Sequence, residues 1–212
     1  MKQEKISFHN LFYIFIFGCF TGWFIEGIWT LLKKGVLINH SALVIGPFNV
    51  IYGIGAVILT IFLYRLKNSS YLEIFVISFI VGSLLEYSMS YLMELLFGFV
   101  AWSYRSKPFN INGRICLTYS IFWGVIGIFW LKIIYPFLEK IINKFNYKES
   151  IKIMKITLIF LLFDVILTFG AIYRGQEYEK GIPPSSKTEE IIDKYFGVNY
   201  LNNMFNNRWN KK

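Results

Sequence analysis

Four carboxylates interrupt the long apolar runs of this sequence, at Glu26, Glu86, Glu94 and Asp164, and two cations, Arg114 and Arg174, stand at the ends of such runs. Carboxylates withdrawn from water supply acid–base groups. An arginine beside them supplies a fork of donors for an anion. A charge at the centre of a bilayer costs at least about 2.5–3.5 kcal/mol, so unpaired carboxylates at that depth are disfavoured. Glu26, Glu86 and Asp164 are therefore expected to face inward, protonated, paired or hydrated. Together with Arg114 and Arg174 they are expected to form a polar pocket open toward the outer side. For Glu94, near the end of its run, hydrogen bonding between helices is the simpler reading. Cys19 and Cys116 have neither ligand spacing nor a disulfide pattern. The chain shows no catalytic motif and no metal-binding cluster, so no catalytic residue, metal or cofactor is assigned.

The spacing says which elements carry these groups. Gly18, Gly22 and Glu26 are four residues apart, as are Ser78, Gly82, Glu86, Ser90 and Glu94. On a helix each series is one stripe of small and acidic residues, suited to close helix packing and hydrogen bonding. Asp164 has Thr168 one turn further on. Five apolar blocks contain the stripes: Leu11–Leu32, Leu43–Tyr64, Ile74–Phe99, Ile115–Phe137 and Ile156–Tyr173. Each is near or above the ~17–20 residues a bilayer requires. With 55% hydrophobic and 17% charged residues, a soluble domain is excluded. The predicted fold is an all-α polytopic membrane helical bundle of five transmembrane helices. The first block is read as a retained span, because its core is long for a signal peptide and no small-x-small site follows.

The net charge of +9 does not indicate nucleic acid, because the lysines and arginines lie mainly between the apolar blocks, where they set orientation. Lys2, Lys5, Arg65, Lys67, Lys132, Lys140, Lys144, Lys148, Lys152 and Lys155 would be inside; Lys33, Lys34, Arg105, Lys107, Arg114, Arg174 and Lys180 would be outside. The expectation is a multi-pass protein of the cell membrane, with a cytoplasmic N-terminus and the C-terminus outside. His9 and His40 sit at block edges and read as solvated. Trp102, Tyr104 and Tyr173 read as interface anchors.

Blocks one and two resemble blocks three and four. "GWFIE" (Gly22–Glu26) and later "GPFNVIYGIG" (Gly46–Gly55) parallel "GSLLE" (Gly82–Glu86) and "NGRICLTYSIFWGVIG" (Asn112–Gly127), which predicts a two-helix internal repeat. The inner connection Leu138–Ile151 has Ile141, Ile142 and Phe145 on one face and suits the inner leaflet. Beyond Pro183-Pro184, "SKTE" (Ser186–Glu189) is a capping box. Two amphipathic stripes follow, Ile191, Ile192, Tyr195 and Phe196, then Tyr200, Leu201, Met204, Phe205, Arg208 and Trp209. The expected organisation is a transmembrane domain over residues 1–174 and an amphipathic C-terminal tail over 175–212.

"GPFNVIYGIGAVIL", "EYSMSYLMELLFGFVAWSY", "FNINGRICLTYSIFWG" and "FDVILTFGAIYR" resemble the ABC-transporter type IV family, also called CmpB-like, over roughly Phe12–Arg174. These are small bacterial multi-span proteins labelled permeases. The resemblance implies that Gly46, Pro47, Tyr52, Gly53, Glu86, Trp102, Tyr104, Asn110, Asn112, Gly113, Arg114, Trp123 and Gly124 are its motif positions. It adds Tyr52, Trp102, Asn110 and Asn112 to the substrate-binding set of Glu26, Glu86, Arg114, Asp164 and Arg174. Two positions depart from the family pattern: Asn49-Val50 replaces Cys-Pro, and Trp102-Ser103-Tyr104-Arg105 replaces Trp-Asp-Tyr-Ser. The leading expectation is a transport permease subunit. Without a G-x-x-x-x-G-K-[ST] loop it would need a separate ATPase, docking at Leu138–Ile151, with membrane lipids and further copies of the chain as other partners. The alternatives are a membrane enzyme acting on a lipid or amphiphile, and a non-catalytic scaffold.

Overall fold

Residues 6–98, 100 and 102–204 are described by a computed structural model. Helix α1 (Phe8–Lys34) leads through an irregular segment to α2 (Val50–Leu63), followed by a 3-10 turn at Tyr64–Leu66 and α3 (Tyr71–Phe97). A two-strand hairpin, β1 (Asn110–Ile111) and β2 (Ile115–Cys116), opens α4 (Leu117–Phe129). A π turn at Trp130–Ile134 joins α4 to α5 (Tyr135–Ile142). The chain continues in α6 (Tyr147–Glu179), α7 (Lys187–Phe196) and α8 (Val198–Met204). Phe205, Arg208 and Trp209 of the second tail stripe, and the inside lysines Lys2 and Lys5, lie outside the described residues.

Among the described residues, four helices are long and apolar enough to cross a membrane: Phe8–Lys34, Tyr71–Leu96, Leu117–Ile142 and Tyr147–Glu179. The block expected as a fifth span, Leu43–Tyr64, is helical only over Val50–Leu66 when its 3-10 turn is included. At ~1.5 Å per residue it falls short of a ~30 Å core. Pro47 disfavours helical geometry at the residue before it, which delays the helix start. A proline also explains the π turn. Pro136 has no N–H, and the ladder widens just before it, with the Tyr135 N–H reaching Trp130 O.

The burial pattern is inside out. Along α6, Ile166 is 72% exposed while Asp164 is fully enclosed. On α3, Leu84 is 63% exposed while Ser78 and Ser90 are enclosed. Apolar side chains outward and hydroxyls and carboxylate inward are what lipid demands and water forbids. The fold is a helical membrane bundle.

The chain forms two compact units. One comprises Met1–Phe15 with Ile54–Asn146, and the other Ile16–Gly53 with Tyr147–Lys212. In the first, α3 and α4 interlock through small residues: Trp123 lies over Gly82, Phe75 over Gly124, and Ser78 over Gly127. The Ser83 Oγ–H donates to Ser120 Oγ at 2.7 Å across the same seam, and Trp130 Nε1 donates to Thr60 Oγ1 at 2.9 Å. In the second, the irregular segment 35–49 and helices α7 and α8 pack on α6.

Candidate functional site

The same arrangement around a carboxylate occurs twice. In the first unit, Trp123 of α4 lies against Gly82 of α3 and its Nε1 reaches one turn further to Glu86 Oε2 at 3.1 Å. Tyr104, from the loop after α3, donates to Glu86 Oε1 at 2.6 Å. In the second unit, Tyr52 of α2 lies against Gly22 of α1 and its hydroxyl reaches Glu26 Oε1 at 2.5 Å. His40, from the loop after α1, places Nδ1 3.2 Å from Glu26 Oε2. Each glycine is required by size, because a Cβ there would enter the ring above it. The Gly-x-x-x-Glu spacing thus makes room for an aromatic ring whose polar end reaches the acid. Burial, then the hydrogen bond to Glu86, pushes the Tyr104 phenol above the ordinary tyrosine range, so it remains the donor. His40, read from sequence as solvated, is drawn in by Glu26.

The hairpin between α3 and α4 is built around the Asn112-Gly113 turn. Both residues have positive φ, 53° and 69°, and the Arg114 N–H closes the turn on Ile111 O at 3.0 Å, the geometry Asn-Gly favours. Trp102 Nε1 donates to Arg114 O at 3.1 Å. Asn110 donates to Lys107 O at 2.9 Å and accepts from Gly113 N at 3.0 Å. Trp102 and Asn110 therefore shape the hairpin with their polar atoms. Asn112 Nδ2 donates to the Tyr87 hydroxyl at 2.9 Å. A Cβ at Gly113 would also meet the Arg105 side chain. Gly113→Ala is expected to cost about 1–2 kcal/mol for the left-handed backbone alone, read as a lower Tm of the purified protein.

This turn delivers Arg114 to α3. Its guanidinium donates to Ser90 Oγ at 3.2 Å and pairs with Glu94. The rings of Tyr87 and Tyr91 lie 5.8 and 5.4 Å from it, within cation–π range. A cavity of about 790 Å³ opens beside these groups, lined also by Ser103, Arg105 and Asn112. Two arginines face one carboxylate there. The recess is therefore net positive, with aromatic walls and amide and hydroxyl groups on its rim.

Asp164 and Arg174 have different surroundings, both within the second unit. Segment 35–49 crosses without regular structure, and side chains satisfy its backbone. Asp164 Oδ1 accepts from Ile45 N at 3.0 Å and Thr168 Oγ1 from Val44 N at 3.0 Å. The Tyr200 hydroxyl of α8 donates to Val44 O at 2.6 Å, and Asn49 Nδ2 donates to His40 O at 3.1 Å. Irregular backbone withdrawn from water is tolerated only when protein groups meet its N–H and C=O groups in this way. An apolar recess of about 620 Å³ lies beside the segment, lined by Trp23, Ile28, Ile38, Pro47 and Tyr200 among others. Arg174, 4% exposed, holds α7. It donates to both oxygens of Asp193, at 3.0 and 2.7 Å, pairs with Glu177, and lies 3.6 Å from Glu189.

Within the first unit, then, Glu86, Trp102, Asn110, Asn112 and Arg114 are gathered around one hairpin. In the second, Glu26 meets Tyr52, Asp164 meets segment 35–49, and Arg174 meets the tail. Tyr87, Tyr91, Ser90, His40, Thr168 and Asp193 were not singled out as site partners. Ser90 lay on the predicted α3 stripe and Thr168 one turn from Asp164, so spacing was the available signal for those two.

Long apolar helices with polar groups turned inward, and carboxylates clasped by loop and helix donors, define a helical membrane-embedded protein with polar centres inside its bundle. The family described as "Putative ABC-transporter type IV" matches residues 13–169, well over half of the sequence, and the chain belongs to that family. Nothing among curated proteins and nothing among solved structures matches it.

Proposed function

We propose that the chain is the membrane-spanning permease subunit of an ABC-type transporter, and that its outer recess binds an anionic group of the substrate at Arg114. The observation that carries this reading is the Arg114 centre. A guanidinium framed by Tyr87, Tyr91 and Ser90, and paired with the half-exposed Glu94, sits on a cavity of about 790 Å³. An incoming carboxylate or phosphate group would take the place of Glu94 on the fork. Asn112 and Arg105 supply further donors, and Glu86 with Tyr104 fixes the loop that carries them. Glu26 with Tyr52 is the equivalent centre of the other unit. The position of the recess on the outer side rests on the lysine bias, with the N-terminus cytoplasmic, segment 35–49 and α2 together making the fifth pass in the cell membrane, and the tail from residue 175 outside.

An ATPase subunit would dock at Leu138–Ile151, which proves to be the end of α5, the short turn 143–146 and the start of α6, where Lys140, Lys144 and Phe145 project. A homo-oligomer would widen the pathway.

The test is co-purification of the tagged chain from its own membrane followed by native mass spectrometry. A stoichiometric ATPase whose turnover rises with an anionic solute supports the reading. A chain that forms product alone would sink it in favour of an enzyme. Arg114→Ala is expected to lower solute-stimulated turnover at least tenfold, the loss of one charge-assisted hydrogen-bond pair, about 1.4 kcal/mol or more. Arg114→Lys is expected to recover little, because an ammonium cannot reproduce the fork.

A further inference from the structure

The buried carboxylate that the Arg114 centre does not use is Asp164. It lies near the middle of α6, is fully enclosed, its Oδ1 accepts from the Ile45 N–H, and the Thr168 hydroxyl one turn on lies against its carboxyl. Its Oδ2 is buried without a hydrogen-bond partner. The titratable and charged groups on the surrounding elements of this unit are committed elsewhere. His40 of segment 35–49 turns to Glu26, Tyr200 of α8 to Val44 O, and Arg174 of α6 itself to Glu177 and α7. Cys19 of α1 is a buried free thiol. Among the described residues no cation is paired with Asp164.

An ionised carboxylate enclosed in a membrane helix with only an amide and a hydroxyl beside it and no counter-charge is strongly disfavoured. We propose that Asp164 is a proton-binding site, and that its proton keeps segment 35–49 seated on α6. The neutral acid accepts the Ile45 N–H through Oδ1 and asks for no counter-ion. Losing the proton from Oδ2 leaves a bare charge that must draw in water or a cation, and the way in is past the segment whose Val44 and Ile45 amides hang on Thr168 and Asp164. Ser41, Gly46 and Pro47 of that segment line the apolar recess beside Tyr200. The charge state of Asp164 would therefore be read as a change in the shape of that recess. The inference rests on α6 being a membrane span and not on the permease reading. Its readout is spectroscopic, so a failed transport assay leaves it standing.

The experiment is infrared difference spectroscopy of the full chain in phospholipid bilayers, wild type minus Asp164→Asn, at neutral and alkaline pH. The expected result is a carboxylic-acid carbonyl band at neutral pH that is lost in Asp164→Asn and fades as pH rises. In Asp164→Glu, a second variant that retains an acid, the band should be displaced but present. Amide exchange of Val44 and Ile45, corrected for its intrinsic pH dependence, should rise as the band fades in the wild type and stay flat in Asp164→Asn. A carboxylate signature at neutral pH overturns the proton site. Loss of the acid band when sodium chloride replaces choline chloride at fixed pH overturns it too, in favour of a metal-cation site. An acid band with unchanged amide exchange overturns the coupling to the segment.

Discussion

Arg174→Ala is expected to free α7 and α8 from α6. The guanidinium is 4% exposed and meets Asp193 with both forks, with Glu177 and Glu189 completing the ring of acids. Removing it leaves three carboxylates crowded together without their cation. Breaking a buried pair from one side costs about 3–5 kcal/mol. Here the acids keep some contact with water, so the lower end, about 3 kcal/mol, is the expectation. The readout is proteolysis and amide exchange across Lys187–Met204: rapid cleavage in Arg174→Ala, slower cleavage in Asp193→Asn, which removes one acid and leaves two. Equal protection of both variants and wild type would show that apolar contacts such as Ile192 against Gly170, and not the arginine, hold the tail.

The same latch should open in acid. The Ser185 N–H, at 2.6 Å, and its hydroxyl hold the Glu189 carboxylate below the ordinary glutamate range, with Arg174 adding to the effect. A carboxylate with a depressed folded pKa stabilises the fold above its unfolded value, and that contribution is lost as pH falls through the folded one. Tail protection is therefore expected to be flat from neutral pH down to the usual carboxylate range and to fall below it. Glu189→Gln should remove that acid dependence.

What the sequence made legible, and what it hid, follows from how each contact is encoded. Four blocks of about twenty apolar residues have one way to satisfy their backbone in lipid, so their helices could be read directly. The block from Leu43 did not announce that its first seven residues are irregular. Apolar composition is indifferent to backbone shape once Asp164 and Thr168, over a hundred positions away, supply hydrogen bonds. The Gly-x-x-x-Glu stripes were visible because they are local. Their partners were less so: Tyr52 lies 26 positions from Glu26, and Tyr104 and Trp123 lie 18 and 37 from Glu86. Only the family motif brought those aromatics forward. Arg174 looked like a companion of the membrane acids because the tail beyond Pro184 reads as amphipathic and surface-bound. Its acids Glu189 and Asp193 appeared as the polar face of that helix, and a polar face does not say what it meets. Even the capping box at Ser186 was only half legible. The Ser186 hydroxyl accepts the Glu189 N–H as expected, but the Glu189 carboxylate turns back to Ser185.

Gly82→Leu carries the second large effect, because one position sets both helix spacing and the Glu86 centre. A Cβ at Gly82 would occupy the space of the Trp123 indole, so the side chain cannot be admitted unless Trp123 leaves its site or α4 moves away from α3. Either movement takes Trp123 Nε1 from Glu86 and pulls at the Ser83–Ser120 hydroxyl bond. Overpacking of this kind costs about 3 kcal/mol in a rigid seam, and small residues are what let membrane helices approach. The expected result is a drop in Tm together with a change in tryptophan fluorescence as the indole becomes lipid-exposed. Gly55→Ala is the control: its Cβ would meet Leu85 at 3.4 Å and Trp123 at 3.7 Å, an ordinary contact, so its Tm should stay near wild type. A second substitution separates packing from hydrogen bonding. Trp123→Phe keeps a ring over Gly82 and removes the donor to Glu86, so it should lose far less stability than Gly82→Leu. If Trp123→Phe is as damaging as Gly82→Leu, the hydrogen bond and not the close approach organises the seam, and the reason for glycine at this position would have to be sought elsewhere.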